Sequence, residues 1–60
     1  MQYFIYQDMI LDTLVFVAAR SFFDVEEVLD DYGYDTDRMW FLSDSDETEA
    51  KISGLFIMEQ

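Results

Sequence analysis

The sequence predicts an α+β domain: a small antiparallel or mixed sheet of three to four strands, with one main amphipathic helix packed on one face. Three features lead there. Short runs rich in β-branched and aromatic residues recur along the chain. One segment keeps helical spacing between a capping serine and a terminal glycine. Apolar residues make up 52% of the chain despite a formal charge of −11, so there is enough apolar material to fold around.

The elements follow in order. Tyr3 to Tyr6 (YFIY) reads as a short strand. Thr13 to Ala19 (TLVFVAA) reads as a buried strand that runs straight into Ser21. Its rival is a helix from Asp8 to Arg20, because Leu11, Leu14, Val15, Ala18 and Phe22 also keep helical spacing. The Val-Phe-Val core and the better use of Ser21 as a cap favour the strand.

A helix is predicted from about Phe22 to Tyr32. Ser21 and Asp24 form a capping-box variant at its start, and Gly33 stands where a terminating glycine belongs. Phe22, Val25, Val28, Leu29 and Tyr32 share about 120° of arc, and Asp24, Glu26, Glu27, Asp30 and Asp31 fill the opposite side. Phe23 projects among these acids. Arg38 to Ser43 and Ile52 to Met58 read as two further strands, with the acidic stretch Asp44 to Glu49 (DSDETE) as the hairpin loop between them.

Sixty residues make a single domain, 1–60, with a small stability margin. The chain has no cysteine and no histidine, which removes disulfides, thiolate sites and the usual zinc ligands. Support must come from tight packing or oligomerisation. The longest apolar run, Leu14 to Ala19, falls far short of the roughly 20 residues that cross a bilayer. No basic segment starts the chain as in a secretory signal, and a cytoplasmic location is expected.

The charge is segregated. Eleven of the 14 acids lie between Asp24 and Glu49, with Arg38 as the one base among them. On the predicted helix Asp24, Glu27 and Asp31 recur at i, i+3 and i+7, a column roughly 10 Å long. The like-charge pairs Glu26–Asp30 and Glu27–Asp31 each cost about a few tenths of a kcal/mol. A sequence that keeps this cost without interspersed lysines keeps the field for use. The alternative is a solvated face that serves solubility alone.

The candidate partner-binding residues are therefore Asp24, Glu26, Glu27, Asp30, Asp31, Asp35, Asp37, Asp44, Asp46, Glu47 and Glu49, with Phe23 and Tyr34 as aromatic anchors and Trp40 a weaker third. Tyr3, Phe4, Tyr6, Phe16, Trp40 and Phe56 read first as core or sheet-face residues.

Chemistry is thinly represented. Asp44, Asp46 and Thr48 fit positions 1, 3 and 5 of an EF-hand count, but Glu49 stands at the glycine position and Leu55 at the bidentate position, so no metal site is expected. Weak, non-specific divalent binding by so many carboxylates remains the most that is expected of them. There is no histidine base, cysteine nucleophile, phosphate-cradling glycine loop or nucleophile elbow, and no enzyme activity or cofactor is expected.

The field repels nucleic acid and anionic membranes and attracts proteins with basic clefts. In size and charge the chain is similar to small phage-encoded or mobile-element inhibitors that imitate DNA, a likeness of composition that maps no residue. The expected role is a DNA mimic that blocks the basic nucleic-acid-binding cleft of a host defence nuclease, CRISPR effector, DNA-repair enzyme, RNA polymerase or nucleoid protein. The alternative is a small acidic structural or regulatory subunit that forms a homodimer, or docks on a larger protein, through an apolar sheet face.

Overall fold

The computed structural model describes residues 1–54 and 56–59. Leu55, which belongs to the expected strand 52–58, and Gln60 lie outside the described residues. Among the described residues, strands β1 (Gln2–Asp8), β2 (Thr13–Ala19), β3 (Met39–Ser45) and β4 (Phe56–Met58) form one mixed sheet in the order β3-β1-β2-β4. Helix α1 (Val25–Asp31) packs on β2 and β4, and the short helix α2 (Glu47–Ile52) links β3 to β4.

β1 and β2 pair antiparallel, from Gln2 opposite Ala19 to Asp8 opposite Thr13. Because side chains alternate across a sheet, Phe4 and Tyr6 of β1 share a face with Val15, Val17 and Ala19 of β2. Val25, Val28 and Leu29 of α1 and Ile57 of β4 close the core against them. The strand reading of Thr13–Ala19 holds with the same bounds, and the helical rival does not form.

The helix begins differently from its sequence signature. A single 3₁₀ turn, Phe22–Asp24, precedes α1, and the Ser21 side chain caps no backbone N–H. Ser21 Oγ donates instead to Asp24 Oδ2 at 3.3 Å, so the capping-box variant is replaced by a side-chain contact. The 3₁₀ turn also rotates Phe22 off the apolar stripe, and Phe22 and Tyr32 are exposed while Val25, Val28 and Leu29 are buried. The C-terminus follows expectation: Gly33 takes a left-handed φ of 84°, its N–H donates to Asp30 O, and Tyr34 N–H reaches back to Leu29 O at 2.9 Å. This is the Schellman closure, which favours glycine at the left-handed position.

The greatest departure lies between residues 44 and 58. β3 and β4 form no hairpin: β3 pairs antiparallel with β1 at one edge, and β4 pairs parallel with β2 at the other. Asp44 and Ser45 complete β3, and the supposed loop winds into α2. The cause is an Asp-x-x-Glu cap, in which the Asp46 carboxylate accepts from Glu49 N at 2.8 Å. A helix here carries the chain between edges that a tight loop could only fold back.

Leu29 is fully buried at the centre of the α1–sheet contact. Leu29→Ala is expected to cost about 2–5 kcal/mol and to lower Tm by more than about 10 °C in a domain this small. Thermal unfolding followed by circular dichroism measures this, and a shift of only a degree or two would contradict the packing described.

Candidate nucleic-acid-mimicking surface

The α1 acids stand on rigid backbone with their side chains in solvent. Glu26, Glu27, Asp30 and Asp31 are all exposed, and Glu26, Glu27 and Asp30 line one open depression with Thr36. The anticipated column of Asp24, Glu27 and Asp31 is broken at its first member: Asp24 lies in the 3₁₀ turn, half-buried and holding Ser21. Asp35 is spent in part on its own backbone, its Oδ1 accepting from Asp37 N at 3.0 Å to start the 3₁₀ turn before β3. Asp37 is exposed.

Asp44, Asp46 and Glu47 form a second group beside Tyr3 and Phe4, at the end of β3. Here Asp46 caps α2, and Glu47 is paired with Lys51 at 2.6 Å. The hydrogen bond from Lys51 holds the Glu47 carboxyl below its usual range and raises the Lys51 ammonium. Glu49 is exposed. Among the described residues no three carboxylates converge as a metal cage, and no helix is long and apolar enough to cross a membrane.

The three basic side chains are all committed elsewhere. Arg20 pairs with Glu59 at 3.1 Å, Arg38 with Asp8 at 3.1 Å, and Lys51 with Glu47. Among the described residues, none of the α1 acids has a cationic partner.

Beside these acids lies an aromatic ledge. Phe41 sits opposite Tyr6 on β3, and its ring meets Phe22 at 5.4 Å, Tyr6 at 5.6 Å and Phe4 at 6.5 Å. Phe22 meets Phe4 edge-on at 5.5 Å. Phe22 and Phe41 keep large exposed surfaces, and Phe23 is 93% exposed. Phe22, Phe23, Tyr6 and Glu26 line one shallow recess. Burial, reinforced by the negative charge of Glu26, pushes the Tyr6 phenol up from its ordinary value, so Tyr6 meets any partner as a neutral hydroxyl.

Of the predicted aromatic anchors, Phe23 projects fully, Tyr34 is half-buried against the core, and Trp40 is exposed on the opposite face of the sheet, opposite Gln7. The sequence reading missed Phe22 and Phe41. Neither carried a local signal: Phe22 falls on the apolar arc of a regular helix and lies instead in the 3₁₀ turn, and the place of Phe41 depends on the β1–β3 register.

The reading also missed Asp8. Its side chain has no exposed surface, sealed by the β1–β2 turn and Arg38 rather than sunk deep in the core. Oδ1 accepts from Ile10 N and Leu11 N, both at 3.0 Å, and Oδ2 accepts from Arg38 Nε at 3.1 Å. The Leu11 N–H bond, more than burial opposes it, holds the carboxyl below the usual aspartate range, helped by Ile10 N–H and Arg38. No protein-family model matches the chain, and no curated protein or solved structure matches it significantly.

A carboxyl with a lowered folded-state pKa stabilises the fold above its ordinary pKa, and that contribution disappears as pH falls through the folded value. Asp8→Asn is therefore expected to unfold at lower temperature than the wild type at neutral pH, with the difference shrinking as pH falls below the ordinary aspartate range. Parallel melts of the two proteins across acidic pH measure it, and a constant difference would show that the charge on Asp8 is irrelevant.

Proposed function

We propose that the protein is a non-catalytic inhibitor that imitates nucleic acid and occupies the basic DNA- or RNA-binding cleft of a target protein. The observation that carries this reading is the unneutralised row Glu26, Glu27 and Asp30 on α1 beside Phe23 and Phe22. Carboxylates without internal partners keep their field outward, where it steers a basic cleft toward them and is screened by salt. Exposed rings next to that field supply the dry contact that aromatic anchors provide in protein interfaces. Asp44 lies opposite Phe4 on the same side of the sheet, so it extends the negative rim beyond the ledge.

Targets of matching chemistry are host defence nucleases, CRISPR effectors, DNA-repair enzymes, RNA polymerase and nucleoid proteins. The test is capture of basic proteins from a lysate on the immobilised protein, eluted by a salt gradient and then by competing DNA. The captured target is expected to leave with DNA and with rising salt. Binding unchanged up to about 0.5 M salt, where exposed charges are screened within a few Å, would overturn the reading.

Neutralising Glu26, Glu27 and Asp30 together, as Gln, Gln and Asn, is expected to weaken that binding by roughly tenfold or more, a loss of about 1.4 kcal/mol. Asp12→Asn is the control for charge away from α1, because it removes one charge, against three, at a left-handed position that asparagine tolerates. A roughly twofold loss from the control, about a third of the triple variant's loss in free energy, would point to net charge alone.

A further inference from the structure

The recess between β1, the 3₁₀ turn and the start of α1 is built unlike the open acidic depression beside it. Its walls are Tyr6, Phe22, Phe23 and Glu26, three aromatic side chains and one carboxylate. Phe22 is fixed by edge-on packing, 5.5 Å from Phe4 and 5.4 Å from Phe41, yet keeps 48% of its surface in solvent. Phe23 projects freely beside it. Among the described residues no hydrogen bond engages the Tyr6 hydroxyl, and it is not sealed from solvent. Glu26 has no cationic partner there either. Its charge is felt at the Tyr6 phenol, so carboxylate and hydroxyl serve one space.

We infer that this recess is a socket for one arginine side chain of the partner, with the guanidinium lodged against the Phe22 and Phe23 rings and its N–H groups donating to the Glu26 carboxylate and the Tyr6 hydroxyl oxygen. The inference rests on the nucleic-acid mimicry for its partner, and it names the side chain of that partner which the surface selects.

Size, charge and shape choose the occupant. The recess holds about 240 Å³, below the roughly 300–1,000 Å³ of small-molecule sites, so it suits a single side chain. The Glu26 carboxylate repels an acidic side chain or a phosphate, and an apolar side chain would strip it of water and leave it unpaired. That leaves a cation. An ammonium is a compact, strongly hydrated charge, costly to press against three rings. A guanidinium is planar and weakly hydrated. It stacks on aromatic faces, and its fork gives a carboxylate two parallel hydrogen bonds. Arginine grips phosphates in nucleic-acid clefts with that same fork, so the socket takes up a group that the target otherwise turns on its DNA or RNA.

An NMR titration of the isotope-labelled full chain tests this, using two short blocked peptides of equal charge, one carrying arginines and the other lysines at the same positions. The arginine peptide is expected to bind at least about threefold more tightly, with the largest amide shifts at Phe22, Phe23 and Glu26. Phe23→Leu, which keeps apolar bulk at a projecting position, and Glu26→Gln should each remove most of that preference. Glu27→Gln, the same charge loss one position along the same helix, should weaken both peptides alike and leave the preference intact. Equal affinities in the wild type, shifts centred on Asp44 and Glu47, or a preference untouched in both Phe23→Leu and Glu26→Gln would each overturn the socket. A target still captured and released by DNA, while the peptides show no preference, removes the socket alone. An arginine preference without any target that DNA displaces leaves the socket standing and removes the mimicry.

Discussion

The Asp8 carboxylate fixes how the sheet is assembled. It ends β1, gathers the first N–H groups of the following turn and holds the Arg38 guanidinium at the entry to β3. Met9 N–H donates to Arg38 O at 2.9 Å, and Asp12 N–H to Asp8 O at 2.8 Å, so the hairpin turn and the start of β3 are tied at one point. Removing the carboxylate would strand backbone donors and leave a half-buried cation unpaired, a combination that costs far more than an exposed ion pair gives. β1 pairs with β2 along its whole length and with β3 from Tyr3 to Asp8, so a fault at Asp8 spreads into both pairings. The turn it secures presents Met9, Ile10 and Leu11 to solvent, with Ile10 at 71%. Backbone order here comes from a polar group, since the turn's own apolar side chains are mostly exposed and contribute little burial.

From that assembly follows the sorting of charge. One sheet with one main helix packed on it has one closed layer, and the core fills it with Val17, Val25, Leu29 and their neighbours. Each such side chain contributes about 1.5–3 kcal/mol by leaving water. The repulsion among the exposed α1 acids is smaller per pair but is relieved by no internal base, since all three bases are engaged elsewhere. The fold tolerates this because the acids occupy the outward side of α1, where solvent screens them, and none lies against the core.

Legibility in the sequence tracked how local each cause is. Thr13–Ala19 was readable because β-branched residues and the following break are neighbours in the chain. So was the end of α1, where Gly33 alone supplies the left-handed closure. The stretch from Asp44 to Ile52 was not, because α2 buries only Ala50 and so shows no apolar periodicity. Its one signal was the Asp46–Glu49 cap, masked by the surrounding acids. The edge positions of β3 and β4 were also hidden, since a parallel pairing between β2 and β4 is set by packing across the sheet. The burial of Asp8 depended on a partner thirty positions away. Of the candidate site, the α1 acids and Phe23 could be placed from helical spacing. The ledge of Phe22 and Phe41 required the 3₁₀ turn and the β1–β3 register.

The two exposed surfaces differ in kind, and this difference decides how the domain can use them together. The α1 side couples charge to exposed rings, so its interactions weaken with salt and reward a basic partner. The far face of the sheet carries mostly apolar side chains, with the Asp12 carboxylate held by Gln7 at its turn end, so burial there depends on salt far less than contacts on the α1 side do. One protein can therefore engage both at once without competition, because the sheet itself, about 10 Å through to any layer stacked on it, separates them.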